Sequence, residues 1–230
     1  MLIPLEAPRL LTAPYFFSVA WDAPSDLDQI PDIGPLPERL SAATPTRIAE
    51  FTAGRFCAAK AIEAIRPHWT GRVGMNPDGS PLWPCGLVGS ITHTQGFAAA
   101  VVAPSDTWQS VGIDSEKATD ANALEAAGRI VINKGEHRLS ARLPISEHQF
   151  ILLIFSAKES IYKCLYPLLK RPLDFSKMVL EDIDFQKRTF QFYISDPIEP
   201  GVLSSSGAHG RFEFMHGCVH TGVELARDVP

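Results

Sequence analysis

The chain has 230 residues, 45% hydrophobic and 20% charged, which excludes a disordered or fibrous protein and leaves room for one large domain or two small ones. Its 21 Lys and Arg stand against 26 Asp and Glu, a formal charge of -5 that argues against general nucleic-acid binding and leaves an acidic partner only local basic patches. The cysteines Cys57, Cys85, Cys164 and Cys218 are scattered, with no Cys-x-x-Cys pair, so they read as small hydrophobes of a reduced, cytoplasmic protein rather than as a zinc or redox site.

The first residues, Met-Leu-Ile-Pro-Leu-Glu-Ala-Pro-Arg, lack the basic start and apolar stretch of a signal peptide, and no apolar run reaches the ~20 residues of a membrane span. Tyr15 to Asp22, rich in aromatic and β-branched residues, is predicted as a strand. Pro24 to Pro37 is dominated by Pro, Asp and Ser, which favour turns and extended pieces over a helix. From Pro45 to Ile65, the positions Ile48, Phe51, Ala58, Ile62 and Ile65 recur at helical steps, and Pro67 stops the helix. Residues 71 to 89 form a Gly- and Pro-rich loop too broken for regular structure. Ser90 to His93 and Phe97 to Ala103 are predicted strands around the turn Thr94-Gln95-Gly96, and Val111 to Asp114 is a short apolar strand. Residues 121 to 143 read as mainly helical. Ile145 to Leu165 reads as a longer helix, with Ile151, Leu152, Phe155, Ile161 and Leu165 inward and Pro167 as its stop. Met178 to Asp184, Thr189 to Ile194 and Arg211 to Leu225 read as a β-meander, and the class is α+β. A weak internal echo, Phe51-Thr-Ala-Gly-Arg55 against Phe155-Ser-Ala-Lys-Glu159, each after a strand ending in aspartate, suggests two related α+β halves, 1–108 and 109–230.

Four stretches carry chemistry. Val111-Gly112-Ile113-Asp114-Ser115-Glu116 ends a strand with two carboxylates one residue apart, which puts both on one face. They are either solvated turn residues or hard oxygen ligands for magnesium or manganese, which such donors favour over zinc. On the long helix Glu159 and Lys163 stand one turn apart, the spacing of an exposed ion pair, yet Phe155, Ile161, Tyr162 and Leu165 leave that helix little solvated face. A third carboxylate and two lysines, Lys158 and Lys163, on a mostly buried helix suit a metal-bound diphosphate. Thr92 and His93 end a strand just after the broken loop, where both can donate to phosphate oxygens. Arg47 and Arg55 lie two turns apart on the first helix, as solvated arginines or as phosphate ligands.

Together these stretches resemble the 4'-phosphopantetheinyl transferase family in its longer, two-half form, which serves siderophore, peptide and polyketide synthetases. The resemblance runs from Phe51-x-x-Gly54-Arg55-x-Cys57-Ala58 through Gly89-Ser90-Ile91-Thr92-His93 and Val111-Gly112-Ile113-Asp114-x-Glu116 to Phe155-Ser156-x-Lys158-Glu159-Ser160-x-x-Lys163. It is closest to the branch of the enterobactin-synthetase component D proteins and the broad-range pseudomonad enzymes. The resemblance implies a monomer of two pseudo-twofold halves with its site in the cleft between them, acting on coenzyme A and an apo acyl, peptidyl or aryl carrier protein. It implies that Asp114, Glu116 and Glu159 bind magnesium, that Lys158 and Lys163 contact phosphate oxygens, and that Arg47, Arg55, Thr92 and His93 serve the nucleotide phosphate end of coenzyme A. The family's Gly-Lys-Pro is Gly79-Ser80-Pro81 here, which leaves one nucleotide contact without its lysine and makes Arg72 a candidate substitute.

In the implied reaction a carrier serine attacks the β-phosphate of coenzyme A and expels 3',5'-adenosine bisphosphate. Glu159, or a metal-bound water that it orients, takes the serine proton, and Lys163 stabilises charge on the departing phosphate. Arg129, Ile130, Val131, Ile132, Lys134 and Arg138, between the two metal motifs, are candidates to meet the acidic carrier. Two rival readings use the same residues: a metal-dependent nucleotide hydrolase that transfers to water, and a degenerate coenzyme A or carrier-binding module.

Overall fold

The computed structural model describes residues 2–6, 8–12, 15–30, 34, 36–117, 121–198, 202–203 and 208–227. The chain divides into two compact units, one of Met1–Ala7 and Ala13–Trp108, the other of Pro8–Thr12 and Gln109–Pro230.

In the first unit β1 (Ile3–Pro4), β2 (Tyr15–Ala20), β6 (Phe97–Pro104) and β5 (Leu87–Thr94) lie side by side in that order. One helix, α1 (Pro45–Ile65), packs on this sheet. Its limits follow from local chemistry. Thr44 caps it by accepting from the Arg47 amide (3.3 Å), Pro45 occupies the first turn, and Arg66 is pushed out of helical geometry by the following Pro67. Small side chains face the sheet, with Ala53, Cys57, Ala58 and Ile62 fully buried, and β6 from Ala98 to Ala103 is sealed completely. The pieces β3 (Gly74–Met75) and β4 (Pro81–Leu82) pair as a short hairpin inside the loop that read as wholly irregular. A 3-10 helix covers Pro24–Gln29, part of the stretch expected to hold turns and extended pieces; 31–33 and 35 of that stretch lie outside the described residues.

In the second unit the sheet order is β7 (Trp108–Glu116), β11 (Cys218–Ala226), β10 (Ala208–Met215), β9 (Thr189–Ile194) and β8 (Met178–Asp184). Three helices, α2 (Ala121–Val131), α3 (His137–Ser140) and α4 (Glu147–Leu169), join β7 to the meander. Ser146 and Gln149 form a capping box at the start of α4, whose Phe150, Leu153, Ile154, Ala157, Ile161 and Leu165 pack with Phe190, Phe192 and Phe212 of the sheet. The helix runs past Pro167 to Leu169, because a proline in the last turn removes only one amide bond, and it stops at Lys170 in the left-handed region (φ 53°). The stretch 121–143 is mainly helical, as expected, but in two pieces: α2 ends at Val131, a turn follows in which Glu136 Oε2 accepts from the Asn133 amide (2.6 Å), and α3 comes after it. A two-residue turn with His216 and Gly217 both at positive φ (54° and 73°) joins β10 to β11.

The α+β class is as the sequence indicates. In the first unit β2 precedes the long helix α1 and pairs with β6; in the second β7 precedes α4 and lies beside β11. No helix among the described residues is long and apolar enough to cross a membrane.

Candidate functional site

Glycine decides where the carboxylates of β7 point. A Cβ on Gly112 would fall on the Ser160 carbonyl oxygen and stand 2.5 Å from the Cys164 amide nitrogen, so β7 and α4 touch backbone to backbone there. Alternation along the strand then turns Asp114 and Glu116 to the same side, toward α4, and Ser115 to the other. On α4, Glu159 and Lys163 meet them, and Lys163 Nζ donates to Asp114 Oδ1 at 2.6 Å.

The electrostatics of this cluster are unbalanced, with three carboxylates around one ammonium. Burial, then the charges of Asp114 and Glu159, push the Glu116 carboxyl up to about 8 against the opposing pull of Lys163. Burial also raises Glu159, with Asp114 adding to it and Lys163 opposing. For Lys163, burial works against the charge, but Asp114, Glu159 and Glu116 together outweigh it and hold its ammonium above the usual value. Hard oxygen donors with excess negative charge fit a magnesium ion in chemistry and in sign. Among the described residues no three His, Cys, Asp or Glu side chains are grouped closely enough to enclose a metal ion by themselves.

Lys158 does not join this cluster, although it neighbours Glu159 in sequence. It is completely buried, and its ammonium donates to Val131 O (2.7 Å), Glu136 Oε2 (2.8 Å) and Phe175 O (3.2 Å). Burial pulls its pKa down, with the partner Glu136 opposing. All three donors are thus spent inside the unit, and the expectation of a phosphate contact is corrected to a structural ion pair. Glu136 completes the network by accepting from the Leu180 amide (2.9 Å).

On the opposite face of β7, Ser115 Oγ lies 2.8 Å from His220 Nδ1, and His220 Nε2 lies 3.2 Å from Met215 O. A carbonyl can only accept, so the network assigns the proton to Nε2 and leaves Nδ1 to accept from the serine. Burial drives the His220 pKa down to about 4, keeping the ring neutral. A tertiary partner from β11 has no signature near Ser115 in sequence.

In the first unit the structure brings Arg47 and His93 together. Arg47 Nη1 lies 2.7 Å from His93 Nε2, and both side chains flank Glu50, at 3.3 Å and 3.6 Å respectively. Sequence reasoning passed over Glu50, whose three-residue spacing from Arg47 was the available signal. Thr92 is 1% exposed and alternates to the other face of β5, so it is not brought to this cluster. Arg55 stands apart. It is 8% exposed, its guanidinium sits 5.0 Å from the Phe51 ring centre, and among the described residues its Nη1 has no hydrogen-bond partner. Burial, then the charge of Arg39, pull its pKa down to about 10. A buried guanidinium with an unfilled donor is suited to an anion. A cavity of about 270 Å³ beside it is also lined by Lys60, Trp69 and Arg72. Ser80, at the position of the missing lysine, bonds to Asp78 through Oγ (2.6 Å) and through its amide (2.9 Å).

Comparison with known proteins matches residues 36–103 to the 4'-phosphopantetheinyl transferase N-terminal domain and residues 110–209 to the 4'-phosphopantetheinyl transferase superfamily. The 4'-phosphopantetheinyl transferase Svp of Streptomyces mobaraensis is 34% identical over 81% of this chain and 76% of its own length. This chain belongs to the 4'-phosphopantetheinyl transferase superfamily. The transferase PptT of Mycobacterium tuberculosis is 30% identical over 85% of this chain and 88% of its own, and the enterobactin synthase component D of Salmonella typhimurium 34% over 55% and 51%. Members of this superfamily move phosphopantetheine from coenzyme A to carrier proteins, and the chain is a transferase of that kind.

Of the candidates for carrier contact, Arg129, Ile130, Lys134 and Arg138 are exposed, Ile130 to 75%. Val131 is buried and its carbonyl is held by Lys158, so its side chain is not available at the surface.

Proposed function

We propose that this transferase uses magnesium, held by Asp114, Glu116 and Glu159, to move the phosphopantetheine arm onto a carrier-protein serine. The observation that supports it best is the Lys163–Asp114 ion pair where Gly112 lets β7 meet α4, with Glu116 and Glu159 near enough for their charges to act on Lys163. When bound, the ion supplies charge neutralisation and Lewis acidity at the diphosphate of coenzyme A. Glu159, whose pKa is raised by burial, takes the serine proton directly or through a water that it orients. The serine oxygen forms a bond to the β-phosphorus. The bond from that phosphorus to the bridging oxygen breaks, and 3',5'-adenosine bisphosphate leaves with the electron pair. Lys163, kept cationic by its carboxylate neighbours, stabilises the departing phosphate. Arg47, Arg55 and His93 take the 3'-phosphate end of the nucleotide.

The enzyme acts as a cytoplasmic monomer, in keeping with its four free thiols, on carriers of siderophore, peptide, polyketide or fatty-acid synthetases. Exposed Arg129, Ile130, Lys134 and Arg138 offer an acidic carrier apolar and basic contact. The test incubates the enzyme with coenzyme A, magnesium and apo carrier proteins, following the carrier's mass and the released adenosine bisphosphate. Both products should appear together and only with an apo carrier; nucleotide release without a carrier would favour the hydrolase reading.

A further inference from the structure

One face of β7 carries Ser110, Gly112, Asp114 and Glu116, alternate residues that all turn toward α4. Ser110 is buried, and its Oγ donates to the Cys164 carbonyl of α4 at 2.6 Å. From β11 the fully buried Thr221 reaches the same helix about two turns earlier and donates through Oγ1 to the Ser156 carbonyl at 2.8 Å. A threonine hydroxyl has one hydrogen, so the 2.9 Å contact between Thr221 Oγ1 and Ser156 Oγ is donated by the serine. Carbonyls within an α-helix already accept from their own ladder, and these hydroxyls use the second lone pair. They are therefore not needed to complete the helix. Alanine and valine would fill the same buried positions without a polar group to desolvate. What the hydroxyls add is direction: apolar packing lets a helix slide along a sheet or turn about its axis, whereas a hydrogen bond fixes angle as well as distance.

Glu159 and Lys163 lie between the two anchored carbonyls of α4, while Asp114 and Glu116 ride on β7, and the 2.6 Å Lys163–Asp114 pair joins the two elements. We propose that Ser110 and Thr221 are positioning residues, which hold α4 axially and in rotation so that Glu159 and Lys163 meet the β7 carboxylates in reacting geometry. The proposal rests on the reading of that cluster as the transfer site. Ser110 and Thr221 spend their only hydrogens on helix carbonyls and none on the cluster, so both act through the backbone of α4.

The experiment compares full-length wild type with Ser110→Ala, Thr221→Val, Thr221→Ser and Ile183→Val, the last a trim of the same core on β8, at the opposite edge of the sheet from β7. For each, single-turnover transfer to an apo carrier, calorimetric binding of magnesium in the presence of coenzyme A, and the thermal midpoint are measured, the first two well below the lowest midpoint. Thr221→Val keeps the volume and loses the hydroxyl. Its transfer rate and that of Ser110→Ala should fall about tenfold, part of the ~10²-fold that a displacement of ~1 Å costs, with magnesium binding weakened in both. Thr221→Ser keeps the hydroxyl and loses a methyl group. It should hold rate and magnesium binding within about twofold of wild type while its midpoint drops as that of Ile183→Val does. Thr221→Val or Ser110→Ala within about twofold of wild type in both readouts overturns the proposal, as does a rate that follows the midpoint through all four variants. A wild type that binds no magnesium, or transfers equally well without it, overturns instead the reading of the cluster as a metal site, and the positioning role with it.

Discussion

Replacing Lys158 with methionine separates a structural ion pair from a phosphate contact. The substitution keeps the length of the side chain but removes the ammonium that serves Val131 O, Phe175 O and Glu136 Oε2. Glu136, also without exposure, keeps its bonds from Asn133 and Leu180 but loses its countercharge. Breaking a buried pair from one side costs about 3–5 kcal/mol, because the remaining charge is left uncompensated. At about 2–4 °C per kcal/mol for a chain of this size, the thermal midpoint should fall by about 6–20 °C. The double variant Lys158→Met/Glu136→Gln removes both charges, keeps an acceptor oxygen for one of the two amides, and should recover part of that loss. The KM for coenzyme A, measured well below the lowered midpoint, should stay within about threefold of wild type, less than the loss of one charged hydrogen bond. A midpoint unchanged within error together with a KM raised tenfold or more would refute the reasoning and return Lys158 to the phosphates.

Asp114→Ala and Glu116→Ala should each abolish transfer while leaving the fold intact by circular dichroism, and near-normal turnover of both at saturating magnesium would contradict the metal assignment. Gly112→Ala forces a methyl group onto the Ser160 carbonyl and should destabilise by about 3 kcal/mol, the upper range for overpacking, whereas Gly135→Ala, with open space at its Cβ, should be neutral in denaturant unfolding. His220 titrates at about 4 in the fold against the usual 6.5, so it is neutral when folded and takes up a proton on unfolding below 6.5. It therefore contributes stability above pH 6.5 that is lost as pH falls toward 4, about 3 kcal/mol in all. His220→Leu should flatten this acid slope in denaturant midpoints, and parallel slopes for wild type and variant would contradict it.

Local signals carried the elements that were read correctly from the sequence. Thr44, Pro45 and Pro67 bracket α1 at Pro45–Ile65 because a cap, a first-turn proline and a terminating proline act within a few residues of themselves. The Asp114, Glu116, Glu159 and Lys163 group was legible for a similar reason: the period of a strand and the turn of a helix each fix a face. Tertiary partners were not legible. Nothing near Lys158 announces Glu136, which reaches it only because the turn after α2 folds back under α4. The reading of Lys158 as a phosphate ligand failed for that physical cause. Ser110 and Thr221 show the same limit, since the α4 carbonyls they hold lie far away in the chain.

The most direct test of the central claim, that the β7–α4 cluster performs the transfer with Glu159 as base, is single-turnover transfer by Glu159→Gln across a magnesium series. Glutamine keeps the size of the side chain and one ligand oxygen but loses basicity. The variant should still bind coenzyme A with magnesium, and its transfer rate should fall by about 10²–10⁴ at every magnesium concentration, the usual worth of a general base. A rate restored by added magnesium to within a few-fold of wild type would contradict that role and leave Glu159 as a ligand only.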